Sequence, residues 1–148
     1  MFQGATQINL DAKGRMAVPT RSRDALTAGG TVKLVLTAHP HGCLLLYPMP
    51  AWEPIRAQVM TFSSVDRQAS LWKRLLVGFA EEHELDSAGR LLVSPELRDF
   101  AHITRAVMLV GQGSHFELWD LERWNAQLEA LLSGGSPTLP PGMENFSL

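Results

Sequence analysis

The stretch Asp11-Ala12-Lys13-Gly14-Arg15 decides how this chain is read, because it returns seventy-five residues later as Asp86-Ser87-Ala88-Gly89-Arg90. Asp at the first and Gly at the fourth position of a four-residue segment is a β-turn signature: the carboxylate caps a backbone amide and Gly accepts a positive φ. Ile8 and Leu10 precede the turn and Met16 and Val18 follow it. That alternation predicts two half-buried antiparallel strands with an exposed tip carrying Lys13 and Arg15.

The repeat extends beyond the turn. Residues 11–26 and 86–101 align without a gap and match at six of sixteen positions, among them Arg23/Arg98 and Asp24/Asp99. Val32-Lys33-Leu34-Val35 falls on Val107-Met108-Leu109-Val110 at the same offset, and after a shorter turn Leu46-Tyr47 falls on Leu118-Trp119 and Trp52 on Trp124. Each copy reads as two hairpins with short helices, too small to bury a core alone. The expectation is a mainly β, α+β fold in which two tandem copies pack or interleave into one pseudo-twofold, barrel-like unit. The organisation expected is a first module over 1–62, a connecting helix within 63–80, a second module over 81–132 and a flexible tail over 133–148.

Helices are expected where caps and spacing call for them. Val18 to Leu26 reads as a short helix stopped by Gly29-Gly30, and Ser94-Pro95-Glu96 as a capped helix start. Trp52, Ile55 and Val59 lie at helical spacing, with Pro54 expected in the first turn. A connector helix is expected over 65–79 with Ser64 as N-cap, its stripe formed by Val65, Ala69, Trp72, Leu75, Leu76 and Phe79. A last helix is expected over 120–132 with Leu121, Trp124, Leu128 and Leu131 on one face.

Composition narrows the function. The 148 residues are 45% hydrophobic, and no apolar run approaches the roughly 18 residues that span a bilayer. Without a signal-peptide pattern and with the single cysteine Cys43, a cytoplasmic protein is expected. The net charge of −2 is unevenly spread: residues 1–74 hold nine Lys/Arg against four acids, and the remainder holds four against eleven. Two readings fit this asymmetry, a first half that favours a polyanion and a second half that avoids it, or ordinary solvated charge on helices, and the count alone favours the solvated charge.

Catalytic chemistry finds little support, since no Gly-x-Ser-x-Gly elbow and no glycine-rich phosphate loop occurs. Glu81-Glu82-Glu84-Asp86 reads as a solvated acidic strand. His39, His41 and Cys43 alternate like ligands on a hairpin, but His-Pro-His-Gly is ordinary turn chemistry and the second copy has Ser114, His115 and Phe116 there. No cofactor and no metal are expected.

Burial does not account for Lys13 beside Arg15 at a hairpin tip. Arg offers a planar fork for the O6/N7 edge of guanine, and Lys a compact charge for phosphate. Comparison of the copies sorts the residues further. Arg23/Arg98 occur in both and belong to the shared architecture, whereas Lys13 becomes Ala88 and Arg21 becomes Glu96. The first copy thus reads as the specialised one.

Met1-Phe2-Gln3-Gly4, the Asn9 to Arg15 turn with Val18-Pro19, Cys43 to Pro48, the second Asp86-x-x-Gly89-Arg90 turn, and Val107 to Gly111 with Phe116 to Trp119 together resemble the MraZ family of bacterial transcriptional regulators. The resemblance runs from residue 1 to about residue 132. It implies a tandem AbrB-like swapped-hairpin fold, and a homo-oligomeric ring that binds repeated elements in double-stranded DNA upstream of its own division and cell-wall gene cluster, at the nucleoid. The family's Asp-x-x-x-Arg DNA-contacting motif falls on Asp11 to Arg15 and again on Asp86 to Arg90. The DNA-binding set expected is Arg15, Lys13, Asp11, Gly14, Arg21, Arg23, Arg90 and Asp86. The alternatives are an antitoxin-like module that caps a protein and a metal-dependent enzyme built on His39, His41 and Cys43.

Overall fold

A computed structural model describes residues 1–135 and 137–148; residue 136, within the expected tail, lies outside the described residues. Among the described residues, eight strands and five α-helices follow in the order β1 (Ala5–Asn9), β2 (Arg15–Ala17), α1 (Thr20–Leu26), β3 (Lys33–Ala38), β4 (Leu44–Pro48), α2 (Met49–Val59), α3 (Arg67–Lys73), β5 (Glu81–Glu84), β6 (Arg90–Leu92), α4 (Pro95–Ala101), β7 (Ala106–Gly111), β8 (Phe116–Asp120) and α5 (Leu121–Ser133). A 3-10 turn at Ala28–Gly30 and a π-helical turn at Arg74–Gly78 complete it.

The local hairpin expected between β1 and β2 does not form as a paired ribbon. The tight turn is present, closed by Asp11 N–H to Arg15 O at 2.9 Å and Gly14 N–H to Asp11 O at 3.0 Å. Beyond it the strands part to different partners. β1 pairs with β7 of the second copy, β5 pairs with β3 of the first, and β2 pairs with β6. The result is an antiparallel sheet of order β1-β7-β8-β4-β3-β5 and a separate β2-β6 ribbon. Each copy completes the sheet of the other, so the interleaved alternative describes the molecule. The exchange carries Leu10, Met16 and Val18 fully inside, where a lone two-stranded hairpin leaves one face in water.

The core lies between the ribbon and one face of the sheet. Met16, Val18, Leu91 and Val93 meet Leu34, Leu36, Leu44, Leu46, Val107, Leu109 and Leu118, with Leu26 and Leu97 from α1 and α4. On the other face, α2 covers Val35, Leu45 and Tyr47 with Trp52, and Trp124 of α5 packs with Cys43, Val110 and Trp119.

Several helix expectations need correction. α2 begins at Met49 with Pro50 in its first turn, so Pro54 lies inside the helix, where it lacks the N–H that the fourth residue before it would receive. The connector is capped by Asp66, which accepts the Ala69 amide at 2.9 Å, and not by Ser64. It runs only to Lys73 before widening into the π turn. Buried Thr37 anchors this turn to β3: its hydroxyl donates to the Leu76 carbonyl at 2.8 Å and to that of Leu75 at 3.3 Å, oxygens near the helix end that need a partner from outside the helix. Val65 and Trp72, expected on the buried stripe, are 95% and 45% exposed. The α5 stripe is likewise only partly covered, with Leu128 39% and Leu131 47% exposed.

The N-terminal arm is seated by main-chain contacts. Phe2 and Gly113 exchange both backbone bonds at 2.8 Å, and Gly111 donates to Gly4 O at 2.8 Å. A Cβ on Gly111 would overlap the backbone of Phe2 and Gln3. Gly111→Ala is therefore expected to cost about 1–3 kcal/mol and to lower the melting midpoint by roughly 3–10 °C. An unchanged midpoint in thermal unfolding followed by circular dichroism would contradict this seat.

Candidate nucleic-acid interface

The two Asp–Arg turns are built alike. Asp11 Oδ1 accepts the amides of Lys13 at 2.9 Å and Arg15 at 3.0 Å, while Oδ2 accepts Arg15 Nε–H at 2.7 Å. Asp86 Oδ1 accepts the amides of Ala88 at 3.0 Å and Arg90 at 2.8 Å, and its Oδ2 accepts Arg90 Nε–H at 2.8 Å. Gly14 and Gly89 take φ of +83° and +73°, which fixes glycine at the fourth position. One carboxylate thus organises each loop and holds the following guanidinium by its Nε edge. The two terminal nitrogens of each arginine make no hydrogen bond among the described residues, so the end-on fork stays available.

Pairing of β2 with β6 brings the turns together. Arg15 faces Leu92, Met16 faces Leu91 and Ala17 faces Arg90. Met16 and Leu91 are fully buried, so by strand alternation Arg15, Ala17, Arg90 and Leu92 share the outer face of the ribbon. Arg90 Nη1 comes within 4.0 Å of Asp11 Oδ2. Arg90, set among acids in the sequence, therefore sits on the same face as Arg15. Leu92, 44% exposed on that face, is a residue that motif reading passes over.

Each loop is held in place by the other copy. The Arg98 guanidinium lies against Gly14, where an added Cβ would stand 2.9 Å from its Cζ, and Arg23 lies against Gly89 in the same way. Gly14 O accepts the Val93 amide at 2.9 Å, and Gly89 O accepts the Val18 amide at 3.1 Å. Arg98 Nε–H donates to Val93 O at 3.1 Å, and Arg23 Nη2 donates to Thr20 Oγ1 at 2.8 Å. Arg23, named among the DNA-contacting residues in the sequence, is half-buried at this packing position. Lys13 stands exposed at the loop tip. Arg21 is exposed on α1, beside a hollow lined by Met1, Phe2, Gln3 and Phe116.

Cys43 is buried, and desolvation pushes its thiol up to about 12, far from a thiolate ligand. His39 Nδ1 accepts the His41 amide at 3.0 Å as part of its turn. Among the described residues no group of three His, Cys, Asp or Glu is placed to hold a metal ion. Glu81, expected to be solvated, accepts the Ser94 hydroxyl at 2.6 Å and contacts His83 Nε2 at 3.0 Å.

Both loop carboxylates are held below the ordinary 3.8, first by the backbone N–H of Arg15 or Arg90 and further by the guanidinium of the same residue. A depressed carboxyl pKa stabilises the fold at neutral pH, and that contribution is lost as pH falls through the depressed value. Carboxylate NMR titration is expected to give midpoints below 3.8 for Asp11 and Asp86, with the amide signals of Lys13, Arg15, Ala88 and Arg90 moving over the same range. A midpoint at or above 3.8 would contradict the loop geometry.

Comparison with known proteins gives the geometry a family. The family described as "MraZ protein, putative antitoxin-like" matches residues 1–75 and again 76–137. The chain is 64% identical over 148 residues to a protein of Methylobacillus flagellatus, 54% over 148 residues to one of an Azoarcus species and 44% over 148 residues to one of Nitrosomonas europaea, each time covering the whole of both chains. All three bear the name "Transcriptional regulator MraZ" and none that of an enzyme. With two matching repeats over most of its length and relatives this similar, the chain belongs to the MraZ family.

Proposed function

We propose that this MraZ-family regulator binds duplex DNA sequence-specifically through both Asp–Arg loops acting as one surface. The observation that carries the reading is the pair of guanidiniums on the outer face of the β2-β6 ribbon, each fixed by its own aspartate through Nε. A fork held in this way loses little side-chain entropy on engaging a base edge, and its two terminal nitrogens suit the O6 and N7 acceptors of guanine. In this reading Arg15 and Arg90 read base edges, Lys13 contacts phosphate, and Asp11, Gly14 and Asp86 shape the loops. Arg21 is an outlying phosphate contact, and Arg23 acts through the loop it supports.

The target proposed is a set of repeated promoter elements, those of the chain's own division and cell-wall gene cluster, reached at the nucleoid in the cytoplasm. Each surface offers few base contacts, so several must act together. Linking them in a homo-oligomeric ring raises apparent affinity about a hundredfold or more without any new contact. The apolar stripe that α5 leaves in water is the kind of surface that self-association covers. Among the described residues no helix is long and apolar enough to cross a membrane.

Band shifts on a repeat-bearing promoter fragment test the reading. Arg15→Ala is expected to lose specific binding while its circular dichroism stays that of the parent and its melting midpoint falls by no more than about 4 °C, the share of one surface ion pair. Undiminished binding by the variant would overturn the role of Arg15. A tightly held protein partner recovered in place of DNA would favour the antitoxin-like alternative.

A further inference from the structure

The first loop is flanked by a hollow of about 430 Å³ that the second loop's sequence cannot reproduce, lined by Leu10, Asp11, Ala12, Arg98, Thr104 and Arg105. Leu10 N–H donates to Arg105 O at 2.8 Å, which ties Arg105, from the α4–β7 connection of the second copy, to the base of the first copy's turn. Thr104 and Arg105 are both exposed. The Arg105 guanidinium has no carboxylate partner and no hydrogen bond among the described residues, so nothing in the fold employs its charge.

We propose that this hollow is a seat for a DNA backbone phosphate, with Arg105 as its principal contact and Thr104 as a hydroxyl donor. The proposal rests on the DNA-binding reading above. Three observations carry it. First, the seat adjoins the base-reading surface, as a contact that fixes register on the duplex must. Second, the Asp11 carboxylate would oppose a phosphate, but its charge is offset by two guanidiniums, Arg15 Nε at 2.7 Å and Arg90 Nη1 at 4.0 Å from its Oδ2. Third, the acidic second half owns only four arginines and no lysine, yet Arg90, Arg98 and Arg105 gather at this surface.

The internal repeat supplies a built-in comparison. At the offset of seventy-five residues the lining positions become Leu85, Asp86, Ser87, Arg23, Gly29 and Gly30. The scaffold is repeated, including the arginine that packs on the opposite loop, but Thr104 and Arg105 are replaced by two glycines with φ of +74° and +81°. A charged side chain at those left-handed positions would be strained. Together with Lys13, for which the second loop has Ala88, Arg105 makes the phosphate grip one-sided. A pseudo-symmetric ribbon then lies on DNA in one preferred direction.

The test is fluorescence anisotropy with the full chain, using a repeat-bearing duplex and a scrambled duplex of equal length over a series of salt concentrations. Arg105→Ala is expected to weaken both duplexes alike, by about two- to fivefold, and to lower the slope of log affinity against log salt by about one per surface engaged. Arg105→Lys is expected to restore most of the loss, and both variants to keep the parental melting midpoint. Unchanged affinity and slope in Arg105→Ala would overturn the phosphate seat and leave the DNA-binding reading standing, as would a loss confined to the repeat-bearing duplex with an unchanged slope. Failure of the parent protein to bind either duplex would overturn the DNA-binding reading itself.

Discussion

The three-residue pairing of β2 with β6 is the constraint on which the remainder of the structure depends. At its centre Met16 and Leu91 face each other with no exposed surface, and they close the core against the six-stranded sheet. So short a ribbon is not stable alone. It is held because β1 and β5, which lead into it, are captured by the sheet of the opposite copy. The exchange also explains the loops, since each is formed by its own aspartate and covered by an arginine of the other copy. A single copy would have neither a partner for its first strand nor a cover for its loop glycine.

Function follows from what this frame leaves outside. Alternation along a ribbon that buries Met16 and Leu91 places both guanidiniums outward together, and the Nε bonds to Asp11 and Asp86 set their direction before any ligand arrives. Preorganisation of this kind moves the ordering cost from binding to folding. The frame is nearly twofold while its charge is not: Lys13 and Arg105 flank one loop, Ala88 and Gly30 the other. Symmetry of backbone with asymmetry of charge would give a duplicated module a direction on the proposed DNA target without a new fold.

Much of this was legible in the residues. Asp11 to Gly14 and Asp86 to Gly89 declare their turns through local chemistry, and Ser94-Pro95-Glu96 declares the start of α4, whose N-cap hydroxyl accepts the Leu97 amide. The repeat made interleaving expected, because two small copies need each other's apolar faces. Which strands pair was not legible: alternation around the first turn fits a local hairpin as well as an exchanged one, and only long-range burial decides. The anchoring of the connector's last turn depends on Thr37, distant in sequence from Leu76, and the partial exposure of Trp72 and Leu131 depends on which helix faces the sheet leaves uncovered. Arg23 and Arg98 carried a repeat signal that marked them as architecture, whereas Arg105 and Leu92 carried none. Their place beside the Asp–Arg loops comes from topology alone.

The central claim is that both loops form one DNA-facing surface, weighted toward the first. Its most direct measurement is the affinity of Arg90→Ala for a repeat-bearing duplex, taken by anisotropy alongside Arg15→Ala and the parent. The account predicts that Arg90→Ala binds more weakly than the parent and more strongly than Arg15→Ala. Binding by Arg90→Ala equal to that of the parent would contradict it.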